Sequence, residues 1–138
     1  MPEPKTLVEA VDRLADRFRA MPQTRLLGAV PGHPSRAAAA LALARRLAAV
    51  ALAVEGARPR DFPDAGAFAA GDQLAVAGHE LAAALTALDA LIVPAVYGGV
   101  MVTLPVALGA HPAGSAVIAD ALLGVALAEV AATADLCR

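Results

Sequence analysis

The sequence predicts an all-α fold, a compact bundle of four to five helices, and three observations carry that expectation. Hydrophobic residues make up 59% of the chain with alanine the commonest of them, while aromatics are 3% and tryptophan is absent. Alanine has the highest helix propensity and loses no side-chain entropy on folding. Several segments also carry apolar stripes at helical spacing, bounded by capping residues or by Gly and Pro. By length the 138 residues form one domain, 1–138, large enough to bury a core. Alanine buries little surface per residue, so such a fold needs many helix contacts or a second copy of itself.

The first helix is the clearest. Thr6-Leu7-Val8-Glu9 fits a capping box, and Leu7, Val11, Leu14, Phe18 and Met21 then recur on one face. Glu9–Arg13 and Asp16–Arg19 have the spacing of intrahelical ion pairs, and Pro22 helps to end the helix. The segment from Pro22 to Pro34 reads as a connector, with Leu26, Leu27 and Val30 turned to the core. Ser35 is an N-cap for a second helix that stops at Gly56, with Ala40, Leu43, Leu47, Val50 and Val54 on one stripe. Leu41 and Leu52 lie on another face, which predicts a helix wedged between neighbours. Ala57 to Gly66 is a loop. A third helix is expected over about Phe68 to Leu88, with Leu74, Leu81, Leu85 and Leu88 on one face. Gly71, Ala75, Gly78 and Ala82 form a second, small-residue stripe on it that permits close approach of another helix. A final helix is expected from Ser115, apolar around most of its circumference and therefore central.

Leu91 to Ala110 is twenty residues without a charge. Its length suits a membrane span, but Pro94, Pro105, Gly98 and Gly99 weaken a helix, and no Lys or Arg anchors either flank. A hairpin turning at Tyr97-Gly98-Gly99 would hold a proline inside each strand. The favoured reading is a buried helix beginning at Pro94 and kinked at Pro105, which in a chain this small is ringed by the other helices or sits at a two-fold interface.

Charge divides the chain. Ten of eleven basic residues lie at or before Arg60, and from Asp61 to Cys137 there is no Lys or Arg. The expectation is that the two parts attract one another within the fold or across a dimer. Arg45, Arg46, Arg36, Arg25 and Arg17 come with no nucleic-acid-binding motif or interleaved aromatics, which argues against a nucleic-acid partner. A single cysteine, Cys137, excludes a disulfide framework and a cysteine-based zinc site. The first residues show no signal-peptide pattern, so the expected location is cytoplasmic.

Candidate chemistry is sparse. Asp72 and His79 share a helix face, but two turns, about 10 Å, separate them, so the plain expectation is a solvated polar face. His33 and His111 sit in similar His-Pro turns, LGAVPGHPS and LGAHPAGS, a faint hint of duplication. Tyr97, the only tyrosine, could orient a ligand in an apolar pocket. The candidate ligand residues are therefore Tyr97, His79, His111 and Asp72, with no metal and no cofactor implied. The pattern predicts a small interaction or accessory protein that packs helix faces against itself or another helical protein. The alternative is an apolar-ligand binding protein or small enzyme with a pocket lined by residues 91–110.

Overall fold

The computed structural model describes residues 3–98 and 112–138, and its elements are helical. They run in the order α1 (Pro4–Ala20), α2 (Gln23–Leu26), α3 (Arg36–Val54), a single 3-10 turn (Ala67–Ala69), α4 (Ala70–Gly98) and α5 (Pro112–Leu136). The all-α expectation therefore holds. The N-terminus of α1 differs in detail from the predicted cap. The helix starts two residues before Thr6, with Glu3 as cap, and the Thr6 hydroxyl accepts from the Glu3 N–H at 3.2 Å. Pro4 at the first helical position moves the start, because its fixed φ suits a helix and its missing N–H removes one orphan donor. The Asp16–Arg19 pair forms at 2.9 Å, whereas Glu9 lies 4.0 Å from Lys5 rather than pairing with Arg13.

The predicted stripe of α1 is the buried one: Leu7, Val11, Leu14 and Phe18 are all 3% exposed or less. It faces α4, and glycine sets the approach. A Cβ on Gly78 would stand 2.6 Å from both methyls of Val11, and one on Gly71 would stand 2.8 Å from the Ala15 carbonyl oxygen. Both distances are shorter than any real carbon contact, so the two backbones meet where side chains would hold them apart. Rising numbers on α4 meet falling numbers on α1, so the two helices are antiparallel. Two polar ties repeat that register, Asp12 with His79 at 2.7 Å and Arg19 with Asp72 at 2.8 Å.

Helix α3 keeps both predicted ends. The Ser35 hydroxyl accepts from the Ala38 N–H at 2.9 Å. At the other end Gly56 has φ +68°, Gly56 N–H donates to Ala53 and Ala57 N–H donates to Leu52, which together make a Schellman turn. That turn sends residues 57–66 back along α3 as a strap. The Arg45 Nε donates to the Phe62 carbonyl at 3.0 Å. The Gln73 side chain donates to Pro63 at 2.6 Å and accepts from the Ala65 N–H at 3.3 Å. Asp64, Gly66 and Ala67 line a hollow with Ser35, Ala38 and Leu41, so α4 begins beside the start of α3 and runs parallel to it. The wedged position predicted for α3 is what the fold shows, with Ala40, Leu43, Ala44 and Leu47 at 0–1% exposure and Leu41 and Leu52 also buried. It is the one helix among the described residues long and apolar enough to cross a membrane, and 61% of that apolar stretch is buried in the fold.

Helix α5 runs antiparallel to α3, as the Arg46–Glu129 pair at 2.9 Å and the Arg36–Arg138 carbonyl contact at 3.1 Å require. It is not central. Ala119, Leu123, Ala126, Val130, Thr133 and Cys137 face inward at 4-3-4-3-4 spacing, while Val125 is 57% exposed. It also begins at Pro112 rather than at Ser115. The predicted break near Leu88 is absent: α4 continues through Pro94 to Gly98. Pro94 is therefore an interior residue and not a helix start, and the first strand of the alternative hairpin is helical. Once a helix is nucleated each further residue adds a backbone hydrogen bond, so the one N–H that Pro94 lacks does not end α4. Residues 99–110, with the expected kink at Pro105, lie outside the described residues. In the connector α2 forms one turn. Leu26 and Val30 are buried as expected, but Leu27 is 48% exposed.

The glycine contact has a measurable consequence. Gly78→Ala gains about 1 kcal/mol of helix propensity and still destabilises the chain by about 1–3 kcal/mol in urea unfolding, because a rigid valine blocks the methyl. Val11→Ala in the Gly78→Ala background recovers part of that loss, and the double-mutant cycle reads the coupling.

Candidate functional site

The polar face of α4 is the first candidate. Asp72 and His79 lie on it as predicted, but each is joined to α1 rather than to the other. His79 Nε2 is 2.7 Å from Asp12 Oδ1, and the Asp72 carboxylate accepts from the Arg19 Nε at 2.8 Å. Arg19 also holds Asp16 at 2.9 Å, and these two carboxylates raise its pKa, the Asp72 hydrogen bond most. All five side chains in these contacts are well exposed, so each tie contributes about 0–1 kcal/mol and serves mainly to fix register. Neither residue lines the hollow beside Ser35 or those described below, and no group of three His, Cys, Asp or Glu side chains gathers as a metal site among the described residues. Tyr97 falls on the last turn of α4, with its side chain outside the described residues, and His111 lies outside them altogether. The structure therefore brings Asp72 and His79 to one face without joining them, and leaves Tyr97 and His111 unplaced against them. His33 closes a small bridge with Val30, Val30 N–H donating to its carbonyl at 3.3 Å and its own N–H donating back at 3.0 Å.

The guanidiniums of the basic half act as internal ties. Arg17 reaches the last turn of α5, donating to the carbonyls of Ala134 at 3.2 Å and Cys137 at 3.4 Å. A cation there satisfies orphan carbonyls and opposes the negative end of the helix. Arg36 spans two segments, donating to Arg25 at 3.0 Å and Arg138 at 3.1 Å. Its Nη1 passes 2.9 Å from where a Gly28 Cβ would stand. Beneath these two arginines Cys137 is fully buried and free. Burial pushes its thiol above the ordinary value, and the positive charges of Arg36 and Arg17 pull the other way.

A hollow that sequence reading missed lies beside α3. It measures about 530 Å³ between the C-terminal half of α3, the strap and Glu80 of α4. Ala48, Ala49, Leu52 and Ala53 form its floor, and Phe62, Arg45, Arg60, Asp61 and Glu80 stand around it. The signal for it was the run of alanines on the same side of α3 as Arg45. Side chains that small cannot fill the space under a strap tied down at Phe62, Pro63 and Ala65. A thinner hollow of about 310 Å³ separates Ala10, Leu14 and Arg17 of α1 from Leu127, Val130 and Ala134 of α5.

The fold thus defines a class no narrower than an all-α protein with a parallel α3–α4 pair joined by a strap. Comparison with known protein families, with curated proteins and with solved structures finds no match to this chain.

Burial of Cys137 predicts both reactivity and pH dependence. The folded state holds the thiol proton more tightly than the unfolded chain does. The stability this contributes is present below the unfolded thiol value, close to 9, and is lost as pH rises from there through the raised folded value. Urea unfolding across pH 8 to 10.5, roughly the range in which a thiol titrates, therefore shows a steeper loss for the native chain than for Cys137→Ala. Iodoacetamide labels Cys137 slowly in buffer and rapidly in denaturant.

Proposed function

We propose that this chain is a small helical interaction protein that pairs with a second copy of itself through the outer face of α5. The observation that carries the reading is Gly124. It sits in the interior of a helix, where glycine is about 1 kcal/mol worse than alanine. Among the described residues no atom would touch a Cβ placed there, so the packing they show does not account for its smallness. Around it Ala121, Val125, Ala128 and Ala132 are exposed on the same side, a small and uncharged face suited to close helix approach.

Charge at the two ends favours a second copy over an unrelated helix. Asp120 and Arg138 are equally spaced on either side of Glu129. An antiparallel two-fold pairing centred there sets each Asp120 opposite the Arg138 of the other copy. Such a contact is isologous and closes on itself. Charges at the rim then fix register more than affinity. The apolar excess of the chain and its lack of a catalytic motif support the same reading.

Light scattering coupled to gel filtration tests it. The native chain at micromolar concentration runs as a dimer, and Ala128→Glu runs as a monomer with unchanged helical circular dichroism. A monodisperse native monomer overturns the proposal, and so does a dimer that survives Ala128→Glu.

A further inference from the structure

The hollow beside α3 carries an inference separate from pairing through α5. Its volume of about 530 Å³ falls within the range of small-molecule sites. Its walls are of two kinds. Ala48, Ala49, Leu52 and Ala53 offer an apolar floor, and around it stand two guanidiniums, Arg45 and Arg60, and two carboxylates, Asp61 and Glu80.

Opposite charges this close in sequence and space ordinarily pair. Among the described residues none of the four belongs to an ion pair within 4.0 Å, although five Lys or Arg pairs with a carboxylate form elsewhere. Arg45 is fixed at Nε by the Phe62 carbonyl, 3.0 Å away, which leaves its terminal nitrogens for another partner. The strap that supplies Arg60 and Asp61 is itself held by the Gln73 amide, so these groups are mounted on a tethered segment rather than a free loop.

We propose that this hollow binds a zwitterion with an apolar body, of amino-acid to dipeptide size. A guanidinium fork matches the planar carboxylate of such a molecule, and the Asp61 and Glu80 carboxylates match its ammonium. The apolar side chain lies on the alanine floor, where its methylenes leave water. A phosphate or a simple carboxylate meets the two acidic groups as repulsion. A cation meets the two arginines in the same way, and a bare hydrocarbon gains nothing from any of the four.

The test compares molecules of one shape and different charge. L-leucine and L-leucyl-L-leucine are the zwitterions, 4-methylpentanoate carries only the carboxylate, and 3-methylbutylamine carries only the ammonium. Thermal unfolding and titration calorimetry are run with each at up to about 10 mM, enough to detect weak binding by linkage. At least one zwitterion is expected to raise the melting temperature, with each single-charge analogue binding at least tenfold more weakly. Arg60→Gln and Glu80→Gln each weaken zwitterion binding tenfold or more and leave the ligand-free melting temperature in place, because both side chains are exposed. Ala49→Phe fills the hollow and abolishes binding. Failure of both zwitterions to bind overturns the proposal. Equal binding of a single-charge analogue, or binding indifferent to Arg60→Gln and Glu80→Gln, overturns it as well. Calorimetry on the monomeric Ala128→Glu chain gives the same result, which keeps this outcome distinct from that of the pairing reading.

Discussion

The close approach of α1 and α4 at Gly71 and Gly78 is the constraint on which the other packing relations rest. Val11 occupies the space a side chain on Gly78 would need, and the Ala15 carbonyl occupies that of Gly71. In an alanine-rich chain, side chains contribute little area each, so burial has to come from short distances between backbones. The seam achieves this along α1 and fixes which faces remain. Leu74, Leu81, Leu85 and Leu88 of α4 are then packed into one continuous core with α3 and α5. The longest apolar side chains thus fill the centre, and glycines close the α1 side.

Charge segregation serves the same arrangement. A basic first part and an acidic second part meet as Arg19 with Asp72 and Arg46 with Glu129, and Arg17 and Arg36 take backbone carbonyls near the C-terminal end. Pairs as exposed as these add little stability each. Their effect is on specificity. A slip of one helix past another would separate every one of these partners at once, so they mark the correct antiparallel register of α1 with α4 and of α3 with α5. Four of the five arginines that formed a basic cluster in sequence, Arg17, Arg36, Arg45 and Arg46, are engaged by the chain itself.

The strap follows from the parallel order of α3 and α4. Parallel neighbours cannot be joined by a tight turn, so the chain must travel back along α3 before α4 begins. Gly56 turns it around, and the Gln73 amide with the Arg45 guanidinium holds it down. The helix beneath carries alanine, so a space remains between strap and helix. Bundles place ligand sites where facing elements leave such room. The outer face of α5 is the opposite case, a helix surface with small side chains and none of the described residues within reach of a Cβ on Gly124.

Local rules were legible in the sequence. The stripe of α1, the Ser35 cap, the Gly56 stop, the small-residue stripe of α4 and the all-α class are each set by neighbours three or four residues apart, and periodicity reports those. Asp72 and His79 were correctly placed on one exposed face for the same reason. What failed was whatever depended on distance along the chain. Whether a proline starts a helix or lies within one depends on the turns before it, and α4 ran on through Pro94. Whether α5 is central depends on how many neighbours reach it, and from Ala119 onward it faces inward along one side only. The partners of His79 and Asp72, the parallel order of α3 and α4, and the hollow under the strap were decided by tertiary structure alone. Each joins residues tens of positions apart, and helical periodicity carries no information about which face of one helix meets which face of another.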